Sequence, residues 1–150
     1  MSYSPLQKTK TTDYNGDQHM KINLLMPSSQ FSIVLIDESE IIASRLKSLL
    51  AGIAGFKLLA HAHNISEGYL IFRNETPDLV LLDSWLPDGT GISMLRELKN
   101  KYSGIKIIIL SNSGSQYYKD KCLELGATAV LDKSSDLPEF QEILLKLLNS

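Results

Sequence analysis

The chain has 150 residues, 43% of them apolar and 21% charged, with a formal net charge of -2 at pH 7. That length suits one domain, and the near-neutral balance gives no general electrostatic reason to expect nucleic-acid binding. A single cysteine, Cys122, excludes an intramolecular disulfide, and no apolar run approaches the eighteen or so residues of a membrane span, so a cytoplasmic protein is expected.

Residues 1–30 are rich in Ser, Thr, Asn, Gln and Lys, with one short apolar cluster at 22–26, and predict a flexible N-terminal extension. Tyr3, Tyr14 and His19 form no constellation there and read as solvated tail residues. The folded domain is expected over 31–150. It opens with a strand at 31–36 (FSIVLI), followed by a helix with Ile41, Ile42, Leu46, Leu49 and Leu50 on one face and Gly52 as its stop. A second strand is expected at 56–60. Asn64 and Glu67 fit a capping box for the next helix, which Pro77 closes. A third strand covers 79–82 (LVLL), and Ile92, Leu95 and Leu98 mark the inner face of a third helix. The run at 105–110 (IKIIIL) is a fourth strand. Tyr117, Tyr118, Cys122 and Leu125 belong to a fourth helix, with Gly126 placed for a left-handed C-cap. A brief fifth strand at 129–131 precedes a last helix, capped by Asp136 and Glu139 and packed through Phe140, Ile143, Leu144 and Leu147.

Five near-continuous apolar strands alternating with five helices predict an α/β, doubly wound sandwich around a parallel sheet buried on both faces. Such a sheet collects its functional groups at the C-terminal ends of its strands. Asp37 and Glu38 end the first strand, Asp83 ends the third, Ser111 follows the fourth and Lys133 lies beyond the fifth. Any one of these acids alone reads as a helix cap or a solvated loop residue. As an ordered set they predict a site. Three converging carboxylates repel one another unless a cation is present, and an all-oxygen site suits magnesium. A carboxylate there can act as nucleophile toward a phosphoryl group, with Lys133 and Ser111 serving its oxygens. Pro87, Gly89 and Gly91 shape the loop after Asp83, as a turn running into a helix with the glycines supplying backbone freedom.

The segment LVLLDSWLPDGTG resembles the phosphoacceptor segment of bacterial two-component response-regulator receiver domains, the CheY-like family. Asp83 matches the phosphorylated aspartate, Pro87 and Gly91 the loop residues, Asp37 and Glu38 in VLIDESE the acidic pair. Ser111 in IIILSNSG matches the hydroxyl residue, and Lys133 in GATAVLDKS the lysine. The resemblance implies a flavodoxin-like (βα)5 fold with strand order 2-1-3-4-5. It implies magnesium-dependent phosphoryl transfer to Asp83 from a sensor histidine kinase or a histidine phosphotransfer protein, with the backbone carbonyl of Trp85 as a further magnesium ligand. Such a domain catalyses its own phosphorylation and dephosphorylation but serves as a signalling protein. Output is expected through a shape change at the fourth and fifth helices toward a downstream protein, a fused output domain or a homodimer partner. With the sequence ending at Ser150, a stand-alone receiver or the N-terminal piece of a longer regulator is expected. Two departures bear on the switch formed by Ser111 and the fifth strand: Val130 stands where the family has an aromatic residue, and Ser134 follows Lys133 where proline is usual.

Those departures keep open an alternative, a receiver fold used as an interaction module without phosphorylation. A dehalogenase-type phosphatase would need an acid at the position of Trp85, and a flavin or dinucleotide binder would need a phosphate loop where Asp37 and Glu38 stand. His61 and His63 superficially resemble a metal pair, but no third ligand is local, and they read as structural or surface histidines. Cys122 reads as a packing residue, and Lys99 and Lys101 as cations at a helix C-terminus.

Overall fold

The computed structural model describes residues 30–149 apart from 113, 135 and 136. The expected extension at 1–30 therefore lies, Gln30 aside, outside the described residues, as does the proposed cap Asp136. The chain runs β1 (Phe31–Ile36), α1 (Glu40–Ala51), β2 (Phe56–Ala62), α2 (Ile65–Phe72) and β3 (Leu79–Asp83). A two-strand ribbon follows, β4 (Trp85–Leu86) and β5 (Gly89–Thr90), and then α3 (Gly91–Lys101), β6 (Lys106–Ser111), α4 (Gln116–Glu124), β7 (Ala129–Asp132) and α5 (Leu137–Leu148). No helix among the described residues is long and apolar enough to cross a membrane.

The main sheet is wholly parallel in the order β2-β1-β3-β6-β7, the expected 2-1-3-4-5 arrangement once the small ribbon is set aside. Alternate residues of each strand feed two separate cores, as the period of two requires. Ile33, Leu35, Leu81, Ile108 and Leu131 pack with Leu46, Phe140 and Leu144 of α1 and α5. Val34, Ile36, Leu82, Ile107 and Ile109 pack with Phe72, Leu95 and Cys122 of α2, α3 and α4. The order reverses between β1 and β3, which opens the crevice at their C-terminal ends.

Several local expectations need correction. Helix α2 stops at Phe72, with Arg73 as its C-cap, so Pro77 is not its terminator. Asn74 and Glu75 instead fold back onto the Ile71 carbonyl, and Pro77 lies in the loop beyond. The capping box is half made. Asn64 accepts from the Glu67 N–H at 2.8 Å, but the Glu67 carboxylate accepts from the backbone of His63 rather than of Asn64. Ile41 is exposed, because it sits about 200° around α1 from Ala43, which with Leu46 and Leu50 defines the buried face. Tyr117 is exposed too; only one of two adjacent tyrosines can turn inward, and Tyr118 shares the face of Cys122 four residues on. Gly126 does adopt a left-handed conformation, φ 107°, just past α4.

Candidate functional site

Sheet register does most of the assembly. Ile36 pairs with Leu82, so the next residues, Asp37 and Asp83, leave neighbouring strands side by side. Ser111 ends β6 opposite Asp132, which brings Lys133 to the same edge, and the Lys133 N–H donates to the Ser111 carbonyl at 2.9 Å. Asp37 (0% exposed), Asp83 (7%) and Ser111 (3%) are all buried. Glu38 is exposed at the mouth of the crevice, and Trp85 is 75% exposed on the ribbon beyond it.

Two buried carboxylates on adjacent strands require a counter-charge. Lys133 supplies it, with Nζ 2.7 Å from Asp37 Oδ2 and 3.3 Å from Asp83 Oδ2. The other Asp37 oxygen accepts from the Ser39 N–H at 2.8 Å, where α1 is about to begin. Burial, and then the charge of Asp37, push the Asp83 carboxyl above the usual carboxylate range, with Lys133 opposing them. A more basic oxygen is a stronger nucleophile, and the Asp83 side chain keeps 10% of its surface exposed.

The loop after Asp83 is fitted to its backbone. Ser84 N–H donates to the Leu110 carbonyl at 2.9 Å, and Gly91 N–H returns to the Ser84 carbonyl at 2.9 Å. A Cβ on Gly91 would stand 2.3 Å from the Asp83 carbonyl oxygen. Close approach, rather than the backbone freedom expected from sequence, is what requires glycine there. Val130 is half-buried on β7 beside Ile109.

Four contributors escaped the sequence reading. Asp132 accepts from the Ser134 N–H at 2.8 Å and from its hydroxyl at 2.6 Å, forming a side-chain-stabilised turn around Lys133. The Asp-x-Ser spacing was a usable signal. That turn occupies the place where the family has proline. Tyr118 carries a hydroxyl that is buried beside Ser84 and Cys122 with no aligned hydrogen-bond partner. Glu40, at the start of α1, approaches His61 and His63, and Glu67 supports His63 from the other side. Nothing local in the sequence linked Glu40 to the histidine pair, since that contact spans 23 residues, whereas Glu67 stands four residues from His63 and its spacing was a usable signal.

The expected convergence of three carboxylates is not met among the described residues, since Asp37, Glu38 and Asp83 do not gather within 4.8 Å of one another; the oxygens of Asp37 and Asp83 are nonetheless of the kind a hard divalent cation takes. Asp37 Oδ2 is buried and accepts no aligned hydrogen bond, which leaves a lone pair for such an ion beside the Lys133 charge.

Residues 33–145 match the family described as Response regulator receiver domain. The KDP operon transcriptional regulatory protein KdpE of Escherichia coli is 30% identical over 110 residues, covering 73% of this chain and 48% of that protein. The chemotaxis protein CheY of Bacillus subtilis is 27% identical over 117 residues, covering 78% of this chain and 97% of that protein. The chain spans about half the length of the first curated relatives it matches. Among solved structures, a LuxR-family two-component response regulator from an Aurantimonas species superposes with a TM-score of 0.73 at 28% identity, covering 81% of this chain and 86% of that one.

Proposed function

The chain belongs to the response-regulator receiver family, and from that premise we propose that it takes a phosphoryl group onto Asp83 from a histidine kinase or a histidine phosphotransfer protein. The observation that carries the reading is the Lys133 ammonium bridging Asp37 and Asp83 at 2.7 and 3.3 Å on the edge where the strand order reverses.

In the proposed step an Asp83 carboxylate oxygen attacks phosphorus, the phosphorus–nitrogen bond of the donor phosphohistidine breaks, and the freed imidazole nitrogen keeps the electron pair. Burial beside Asp37 makes that oxygen basic, and Lys133 keeps the carboxylate positioned and then faces the incoming phosphoryl oxygens. Ser111, buried one strand away, is the hydroxyl donor to a further phosphoryl oxygen. A magnesium ion would be held by Asp37, Glu38, Asp83 and the Trp85 carbonyl, and when bound it would neutralise charge on the transferring group. Output runs through Ser111 and Val130 to the α4 and α5 face, toward a downstream protein or a fused effector domain.

Acetyl phosphate replaces the protein donor in the test, with acetate as leaving group. Intact mass should show one added phosphoryl group in the wild type with magnesium and none without it. Asp83→Asn should gain none. A magnesium-dependent gain in Asp83→Asn would remove the assignment, and no gain in the wild type from either acetyl phosphate or a phosphorylated donor protein would favour an interaction module without phosphorylation.

A further inference from the structure

Next to this pocket, but outside it, three side chains meet that the phosphoryl chemistry does not use. They are Glu40, the first residue of α1, His61 in β2 and His63 just past its end. One ligand atom from each lies within 4.8 Å of the other two. The imidazole centroids are 4.3 Å apart with a 37° tilt. Residues two apart on an extended chain share a side, which accounts for the histidines; the neighbouring β1–α1 junction brings in Glu40.

The hydrogen bonds around the rings settle their donors. His61 Nε2 lies 2.7 Å from the Asp37 backbone carbonyl. A carbonyl only accepts, so Nε2 carries the proton and Nδ1 keeps its lone pair. His63 Nδ1 lies 3.2 Å from Glu67 Oε1, and a carboxylate likewise only accepts. His63 Nε2 then faces Glu40 Oε2 at 2.6 Å. Nitrogen and oxygen lone pairs do not sit that close without a cation between them, either a proton or a metal ion. Each ring is thus held from behind by an acceptor, the outer-shell arrangement of metal-binding histidines.

We propose that Glu40, His61 and His63 form a surface site for one zinc-class divalent ion, with three protein ligands and an open fourth position for water or a partner's side chain. Two imidazoles and one carboxylate select zinc, nickel or copper over magnesium, which prefers oxygen alone. Tetrahedral ligands at zinc distances stand roughly 3.4 Å apart, so the Glu40–His63 pair must open from 2.6 Å while any wider separation closes. Glu40 is free to do so, its side chain being 75% exposed. The site stands independently of the phosphoryl reading.

The test uses the full chain, stripped with a chelator and then titrated with zinc by calorimetry and with cobalt(II) by visible absorption. One equivalent should bind, with the intense d–d bands of a four-coordinate site. His61→Ala, His63→Ala and Glu40→Gln should each weaken zinc by at least about ten-fold. Asp83→Asn should leave zinc affinity unchanged, which separates this site from the acidic pocket. Melting curves check folding, and His63→Gln replaces any alanine variant that aggregates. Binding that survives the His61/His63 double substitution, whether it is lost in Asp83→Asn or in His19→Ala, would overturn the proposal. So would the absence of saturable zinc binding in the wild type.

Discussion

Asp37 and Glu40 are three residues apart, yet they belong to regions governed by different physics. Around Asp37 the side chains are buried and fixed by the register of three strands, and their charges must balance inside the protein. Around Glu40 the groups project into solvent, with side-chain exposures of 75% for Glu40 and 42% for His63. Water screens them there, and geometry is held by a few hydrogen bonds. The first region is therefore expensive to perturb and the second adaptable.

The largest effect expected from that contrast is on stability, in Lys133→Met. It removes the one cation that touches both buried carboxylates among the described residues, which costs about 3–5 kcal/mol, toward the lower end because Asp83 can take up a proton. The sign with pH is definite. A carboxyl whose folded pKa is raised costs nothing below the ordinary carboxylate range, and its cost grows as pH rises through that range. The gap between variant and wild type should thus be widest near neutrality and shrink toward about pH 4. Urea unfolding in metal-free buffer at both pH values measures it. A gap that stays constant would mean that Lys133 acts by packing its stem rather than by charge.

The same contrast explains what could be read from the sequence. The (βα)5 order and the strands were legible, and so was the placing of Asp37, Asp83, Ser111 and Lys133 at one sheet edge, because apolar runs fix strands and parallel topology forces their ends together. Ile41 and Tyr117 were misplaced because an apolar run at a helix start does not say which residue turns inward. Pro77 was misread as the end of α2 because helices stop wherever capping is available, not only where proline forbids more. The partnership of Glu40 with His61 and His63 was not legible at all, since it depends on how the β1–α1 junction sits beside the end of β2. Likewise the reason for Gly91 lies in the backbone of Asp83, eight residues earlier, and not in its own turn.

Gly91→Ala sharpens the comparison within the buried region at a smaller scale. The new methyl meets the Asp83 carbonyl oxygen at 2.3 Å, and backbone cannot step aside as a flexible side chain does. Destabilisation of about 1–3 kcal/mol is expected, together with slower phosphoryl uptake because the Asp83 backbone must shift. Gly104→Ala is the control, since a Cβ there meets nothing within 4 Å. It should lie within about 0.5 kcal/mol of the wild type. Chemical denaturation of the two variants side by side gives the difference, and equal stabilities would contradict the close approach at Gly91.

The smallest effect belongs to the exposed region and is read by NMR rather than by unfolding. Hydrogen bonds to Glu40 and then to Glu67 hold the His63 imidazolium above the ordinary histidine pKa; the His63 ring holds Glu40 below the usual carboxylate range, and the His63 backbone N–H and then its ring do the same for Glu67. A raised folded pKa makes the His63 contribution complete below the ordinary histidine value and lost as pH rises through its own. Depressed carboxylates make theirs present above the ordinary carboxylate range and lost on acidification. The cluster therefore favours the fold only in the window between, from weakly acidic conditions up to the raised His63 value. Because all three groups are exposed, the change in melting temperature across that window should be slight. The titration itself should be clear: in metal-free protein the His63 Cε1 proton should move with a midpoint above about 6.5, and Glu40→Gln should bring the midpoint down toward that value. Added salt should lower it as well, since charges open to solvent are screened over about 8 Å at physiological ionic strength. A midpoint that ignores both Glu40→Gln and salt would mean that His63 and Glu40 do not meet in solution, and the contrast between the two regions would lose its exposed half.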